Sequence, residues 1–147
     1  MNLTKNSDIR EVLAPVSAAS STDSNTDILD MSGYDGVVFI VPITASAATG
    51  VATLTVEQSD DNADTNMAAT TLAPTYTCTT NDDLNNKLLV ADCYKPTGRY
   101  VQANLVSAEA NIAFGNVIAI LYKSSKGPIS KHSSILDLDL AISPAEA

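Results

Sequence analysis

Apolar and polar residues alternate most regularly between residues 51 and 58, in the stretch Val-Ala-Thr-Leu-Thr-Val-Glu-Gln. A period of two would place Leu54 and Val56 on one side of the chain and Thr53 and Thr55 on the other. Such alternation is typical of a β-strand with one buried face and one solvated face. The segment therefore predicts a strand that covers a core.

Further strands follow from apolar runs elsewhere in the chain. Residues 37–41 form a continuous β-branched and aromatic run, which predicts a central strand buried on both faces. Residues 116–122 form a second continuous run, and residues 99–106 alternate again, with Val101, Ala103 and Leu105 on one side. Weaker strand patterns occur at residues 11–20, 27–31, 75–79 and 87–94.

Turn-forming residues separate these runs and favour an all-β fold. Gly33 and Gly36 flank a Tyr-Asp pair, and Pro96 and Gly98 precede the run at 99–106. About eight short strands with polar turns indicate a sandwich or barrel rather than βαβ units. We therefore predict a jelly-roll-like β-sandwich of about eight antiparallel strands. The best helix candidate is short, at residues 66–72.

The two ends of the chain differ from this central region. Residues 1–10 are polar, and residues 124–147 follow a basic stretch with a Gly-Pro break and then an alternating run. We predict a flexible N-terminal arm at 1–10, a sandwich domain at 11–123 and an extended C-terminal arm at 124–147. Because Leu136, Leu138 and Leu140 would be hazardous in a lone strand, the run is expected to add to a sheet edge, its own or a neighbour's.

Charge is distributed unevenly along the chain, whose net charge is −9. This excess of acid makes binding to DNA or to an anionic membrane through a broad basic surface unexpected. Residues 11–86 hold eleven acids and no Lys or Arg, whereas Lys123, Lys126 and Lys131 lie in a stretch without acids. These lysines either keep a loop soluble or lie on an acidic surface of a neighbouring subunit.

The sequence gives little sign of export or of cysteine chemistry. Its first ten residues lack the apolar core of a signal peptide, and its longest apolar run is too short for a membrane helix. The chain is thus expected to be made in the cytoplasm, where Cys78 and Cys93 would be free, buried side chains. A disulfide between the two cysteines is the less favoured alternative.

Candidate chemical sites are weak. Asp60, Asn62, Asp64 and Asn66 have the spacing of a calcium loop, but Thr65 stands where such a loop needs Gly, so a solvated loop is favoured. No zinc site has enough ligands. His132 has serine neighbours but no partner acid that the sequence identifies, so it is interpreted as solvated. We therefore predict no catalytic residue, no metal site and no cofactor.

Two other groups of residues have a possible binding role. Arg99 could anchor a carboxylate of a partner, because its planar guanidinium suits bidentate pairing, although an exposed Arg at a strand start is the commoner case. The five tyrosines could form a sugar-stacking platform, but ordinary sandwich positions are favoured in a chain without Trp. The tyrosines are Tyr34, Tyr76, Tyr94, Tyr100 and Tyr122.

One stretch carries a family resemblance. Residues 27–41, Asp-Ile-Leu-Asp-Met-Ser-Gly-Tyr-Asp-Gly-Val-Val-Phe-Ile-Val, and residues 52–61, Ala-Thr-Leu-Thr-Val-Glu-Gln-Ser-Asp-Asp, resemble small virion structural proteins of tailed bacteriophages. They are most similar to jelly-roll head decoration, or cement, proteins. The resemblance implies a two-sheet jelly roll on the outside of a capsid, bound at symmetry axes or between capsomers. It implies no catalytic residues.

These observations together predict a structural virion protein that decorates and stabilises the outer capsid shell. Its expected partners are the major capsid protein and further copies of itself, as a dimer or trimer, without nucleic acid or membrane. The alternatives are a neck, tail or fibre component and a carbohydrate-binding β-sandwich. The candidate interface residues are Arg99, Lys123, Lys126, Lys131, Leu136, Leu138 and Leu140.

Overall fold

A computed structural model describes residues 2–123 and 130–138. These residues form one short helix, one 3-10 turn at Asp64–Asn66 (η1) and twelve strands in two sheets. The elements, in chain order, are α1 (Leu3–Asn6), β1 (Asp8–Leu13), β2 (Val16–Ala19), β3 (Asp23–Asn25), β4 (Leu29–Asp30), β5 (Gly36–Ser46), β6 (Val51–Ser59), β7 (Ala68–Ala69), β8 (Thr75–Thr77), β9 (Lys87–Tyr94), β10 (Tyr100–Ala108), β11 (Ile112–Phe114) and β12 (Val117–Tyr122).

The twelve strands form eight extended segments, because four segments are each broken once. β1 and β2 pair with β12 and β11, and the breaks come at Pro15 and at Gly115-Asn116. Pro15 has no N–H to give to a ladder, which explains the first break. β3 and β4 pair with the same side of β10, and β7 and β8 with the same side of β6. The segments therefore agree in number with the sequence prediction.

The order of these segments is that of a jelly roll. One sheet, called the first sheet below, runs β1/β2, β12/β11, β5, β9, which is segments 1-8-3-6. The second sheet runs β3/β4, β10, β6, β7/β8, which is segments 2-7-4-5. All pairs are antiparallel. The prediction of a jelly-roll-like, all-β sandwich is confirmed.

The core lies between the two sheets and is built from alternate residues of each strand. Leu54 and Val56 of β6 and Phe39 of β5 are fully buried, as are Val101 and Leu105 of β10. Between them, Thr53 and Thr55 face outward and remain partly accessible, as their alternation with Leu54 and Val56 predicts. Period-two patterning therefore identified the core side of β6 and β10 correctly.

Three sequence predictions need correction. The first concerns β5, which is central but buried on one face only: Val38 and Ile40 on its other face are partly accessible. The second concerns residues 66–72, which contain the end of η1 and the two-residue strand β7 rather than a helix. The third concerns the start of the sandwich, because β1 begins at Asp8, inside the segment assigned to the N-terminal arm. The pairing of β1 with β12 shows that the first sheet begins at Asp8.

Replacing Leu54 with Ala should destabilise the protein by about 2–5 kcal/mol, because the side chain is fully buried and its loss leaves a cavity. The matched change Thr55→Ala, one position along the same strand, should alter the free energy of unfolding by only about 0.5 kcal/mol. Urea unfolding followed by circular dichroism measures both values. Equal effects at the two positions would contradict the assigned core side of β6.

Candidate interaction surface

The outward face of the first sheet has an aliphatic centre, bordered by Glu11 beside Ile118 and by Asp92 beside Val38. Ile40 lies in register between Ile118 of β12 and Val90 of β9, and Val38 lies beside Ile120. The residues of this surface, called the apolar face below, are Val38, Ile40, Leu88, Val90, Ile118 and Ile120. Contiguous outward-facing aliphatic side chains of this kind indicate a surface that another molecule covers.

The most accessible part of the apolar face is strand β9, at the edge of the first sheet. Leu88 is 57% exposed and Val90 is 49% exposed, and Tyr94 at the end of the same strand is 54% exposed. These are three of the six exposed large hydrophobic side chains in residues 2–123 and 130–138. An exposed, apolar edge strand is normally avoided in a protein that acts alone, because it invites pairing with other chains.

The backbone of β9 has one paired side and one unpaired side. β9 pairs with β5, and no described strand pairs with its other edge. Pro42 of β5 lies opposite Leu88, and its carbonyl accepts a hydrogen bond from the Gly115 N–H on the far side of β5. Because a residue's N–H and C=O point to the same side of a strand, the peptide groups of Leu88, Val90 and Asp92 face the open edge. Donors and acceptors for a further strand are therefore available there.

Aromatic and cationic groups lie together at the Tyr94 end of β9. Tyr94 and Tyr122 stack with ring centroids 6.5 Å apart and an interplanar angle of 8°. The ammonium groups of Lys95 and Lys123 lie 5.4 Å and 5.7 Å from the centre of the Tyr94 ring, within the range of cation–π attraction. Lys123, a predicted interface residue, thus lies beside the apolar face.

Tyr122 is fixed in this stack by its hydroxyl and by a glycine. The Tyr122 hydroxyl donates to Asp92 Oδ1 at 2.6 Å. Partial burial of the ring, together with the Asp92 carboxylate, raises the pKa of Tyr122 above its ordinary value of 10.0. A Cβ at Gly36, which pairs with Tyr122 across the strands, would overlap the tyrosine ring, so this position requires glycine.

The outward face of the second sheet is polar. The Gln102 amide, which is 1% exposed, donates from Nε2 to Glu57 Oε2 and to Asp64 Oδ1, both at 2.7 Å. Asn25 Nδ2 donates to the same Asp64 oxygen at 2.8 Å. Glu57 and Asp64 thus carry charge on this face, whereas Gln102 Oε1 is buried and accepts no hydrogen bond from the described residues. The two outer faces of the sandwich therefore have opposite character, and only the first-sheet face is suited to apolar contact.

Arg99 immediately precedes β10 and forms an ion pair with Asp30 of its own chain. Its Nε and Nη2 donate to the two carboxylate oxygens of Asp30 at 3.0 Å and 2.8 Å. These hydrogen bonds, with one from the Ser32 N–H, lower the pKa of Asp30 below its ordinary value. The bidentate geometry expected of Arg99 is present, but its acceptor is an intramolecular carboxylate rather than a group of a partner.

The described part of the C-terminal segment lies against strand β1. The Glu11 N–H donates to Ser134 Oγ at 3.2 Å, and His132 Nδ1 lies 2.8 Å from the same hydroxyl. Leu136 is 96% exposed, whereas Leu138 is partly buried. Lys131 is exposed and donates from Nζ to the Ile135 carbonyl at 2.8 Å. The two other predicted interface residues, Lys126 and Leu140, lie outside the described residues.

The acidic loop that resembles a calcium loop does not bring its oxygens together. Asp64 is bonded to Gln102 and Asn25, Asp60 accepts from the Arg99 N–H, and Asn66 donates to Asp61. Within residues 2–123 and 130–138, no three His, Cys, Asp or Glu side chains are close enough to hold a metal ion. The side chains of the loop are used instead to fix it to the second sheet.

Both cysteines are free, as predicted. Cys78 is buried, and its Sγ donates to the Thr80 carbonyl at 2.8 Å. Cys93 is only partly buried, which corrects the expectation of full burial, and this partial burial raises the pKa of its thiol.

Comparison with family models gave no match to the chain, and comparison with curated protein sequences gave none either. In the part of the chain that the structure describes, no helix has the length and apolar character needed to cross a membrane. The geometry of the two outer faces is therefore the main guide to function.

The sequence pattern draws attention to the chain ends and does not reveal the apolar face. It predicts only a weak strand at Lys87–Tyr94. The four apolar residues at 88–91 carry no alternation that distinguishes an inner side of the strand from an outer side. The exposure of Leu88 and Val90 depends on the position of β9 at a sheet edge. That position is a property of strand order, which periodicity does not encode.

The wild-type protein should lose stability more steeply than Tyr122→Phe as the pH rises through about 10. Because the folded protein raises the pKa of Tyr122, the unfolded chain loses this proton first, and the stabilisation present below pH 10 is then lost progressively. Phenylalanine has no proton to lose, so the variant should lack this part of the decline. Urea unfolding between pH 8 and about pH 11 measures it. Parallel curves for the two proteins would show that Tyr122 titrates normally.

Proposed function

We propose that the chain is a structural virion protein that decorates the outer capsid shell of a tailed bacteriophage and stabilises it by bridging neighbouring major capsid subunits. Two kinds of observation support the proposal. The strand order is that of a jelly roll, the fold that the resemblance of residues 27–64 to head decoration proteins implies. The first sheet also exposes aliphatic side chains, Leu88 and Val90, of the kind that another molecule covers.

The observation that carries the proposal is the contrast between the two outer faces of the sandwich. The apolar face exposes Leu88 and Val90, whereas the second sheet presents hydrogen-bonded carboxylates such as Glu57 and Asp64. Covering aliphatic surface yields about 25 cal/mol for each Å² removed from water, without any need for a chemical pocket. A protein that adheres by one sheet and shows the other to solvent suits the outside of a shell.

Electrostatics suggest how the docked protein is oriented. Lys95 and Lys123 lie at the Tyr94 end of the apolar face, although the whole chain has a net charge of −9. The partner surface that fits best is therefore apolar with acidic groups opposite this end. Many copies on one lattice would gain avidity, so that each contact can be modest. In the proposal, copies group as a dimer or trimer at a symmetry axis of the shell.

A neck, tail or fibre component would share this fold and this surface but occur in fewer copies. A carbohydrate-binding sandwich is the alternative of a different class, and the 54% exposed ring of Tyr94 is the feature that favours it. The two lysines that lie against that ring leave less of its surface for a sugar. Copy number and glycan binding separate these alternatives.

Copy number in purified virions tests the proposal directly. Quantitative mass spectrometry against the major capsid protein should give roughly one copy for every one or two capsid subunits, as expected for dimers or trimers that occupy the symmetry axes of the shell. About a dozen copies per particle would instead favour a neck or tail component, which occurs in few copies. Its absence from virions would overturn the virion proposal, and a glycan array with Tyr94→Ala as control would then be the next measurement.

Val90→Asp should weaken binding to undecorated shells roughly tenfold or more, because it puts a carboxylate in the most exposed part of the apolar face. Val90 is 49% exposed, so the folded chain can accommodate the change. Asn62→Asp is the matched control, since it adds the same charge at an exposed position of the acidic loop. Co-sedimentation with shells measures both. Equal weakening by the two variants would indicate that charge, rather than the apolar face, governs binding.

A further inference from the structure

The open edge of β9 is bordered on its inner side by an apolar groove. The groove has a volume of about 220 Å³ and lies where the two sheets separate. Tyr76 of β8 forms one wall and is 59% exposed, while Leu89 of β9 and the buried Leu84 form the other. The remaining lining residues are Ile43, Lys87 and Leu88. A strand added to β9 would therefore place every second side chain over apolar surface.

The C-terminal segment has the pattern that such a groove requires. From residue 136 to residue 142 the sequence is Leu-Asp-Leu-Asp-Leu-Ala-Ile, with large apolar residues at every second position. As a strand, it would have one aliphatic side and one side with two carboxylates. In the single chain the first apolar residue of this run, Leu136, is not buried, since it is 96% exposed. An edge strand without a partner and an amphipathic segment without a sheet are thus present in one protein.

The C-terminal run cannot pair along its full length with the β9 edge of its own chain. Ser134 is hydrogen-bonded to Glu11 of β1, and β1 and β9 are opposite edges of the first sheet. Three strand spacings of about 4.8 Å place the two edges about 14 Å apart. The two residues from Ser134 to Leu136 span at most about 7 Å. Pairing of the run that begins at Leu136 with β9 therefore requires the β9 of a different copy.

We propose that residues 136–142 of one copy add as a strand to the β9 edge of a second copy, with the aliphatic side in the groove beside Tyr76. The exposed peptide groups of Leu88, Val90 and Asp92 supply the main-chain hydrogen bonds, and the groove supplies the side-chain contact. In the absence of a shell, Asp137 and Asp139 then face solvent on the outer side, next to the apolar face. Exchange between copies closes a dimer if it is reciprocal, or a ring if it runs head to tail.

This self-association does not depend on the capsid proposal, because purified protein alone tests it. Val90 on the outer side of β9 serves the capsid contact, whereas the edge backbone and Tyr76 of the groove serve the second copy, and only Leu88 borders both surfaces. Failure of one contact therefore leaves the other intact, and the two proposals can be judged separately.

Size-exclusion chromatography with light scattering should show the full chain as a dimer or small ring. Two variants should each lose this assembly: Leu136→Asp, which alters the added strand, and Tyr76→Asp, which places a charge in the groove. The matched controls are Asp137→Asn, on the solvent side of the added strand, and Thr77→Asp, at the next exposed position of β8. Both controls should assemble like the wild type. Because Leu136 is 96% exposed, its change cannot unfold the single chain.

Mixing the two defective variants gives the decisive result. Leu136→Asp keeps an intact groove and Tyr76→Asp keeps an intact strand, so the mixture should form a heterodimer although neither variant assembles alone. A wild-type chain that stays monomeric at its highest soluble concentration would overturn the proposal. So would assembly that survives Leu136→Asp, or a mixture that remains monomeric.

Discussion

The pairing of β5 with β12 on one side and β9 on the other is the constraint on which the rest of the structure depends. This register places Phe39 and Val41 in the core between the sheets and, by the same alternation, Val38 and Ile40 on the outside. A slip of one residue would exchange the two sets. Since both sets are apolar, a slip would not be opposed by hydrophobicity along β5 alone. Two further features select one register. Tyr122 packs tightly over Gly36, and Pro42, which has no N–H, lies opposite Leu88 at a position where the two strands exchange no main-chain hydrogen bonds.

The same pairing explains why the two faces of the molecule differ. In the second sheet, outward positions carry side chains that bond to one another, so that water and neighbouring amides satisfy the surface. In the first sheet, the central outward positions carry aliphatic side chains, which gain nothing from contact with water. β9 completes this sheet and leaves its peptide groups at an unpaired edge. Adhesion through one face and one edge, with a solvated opposite face, is the behaviour expected of a subunit that works in an assembly.

The jelly-roll order also brings distant parts of the chain together in each surface. Apart from β6 and the segment β7/β8, consecutive segments lie in opposite sheets, so that residues distant in sequence become neighbours. Tyr76 and Leu89 thus line one groove, and Glu11 meets Ser134 from the other end of the chain. Each surface is therefore assembled from several segments, and none corresponds to a contiguous sequence motif.

The sequence by itself determined that the protein is all-β, where most strands lie, and which side of β6 and β10 faces the core, because period two follows directly from strand geometry. It also determined that the two cysteines are free and identified the amphipathic run that begins at Leu136. Only the tertiary structure decided that β9 is an edge strand, that Val38 and Ile40 face outward, and that Arg99 is occupied by Asp30. The physical reason is that local pattern fixes the conformation of a strand and the difference between its sides. Which strand lies beside it is decided by long-range hydrogen bonds and packing, to which each sequence segment contributes only part.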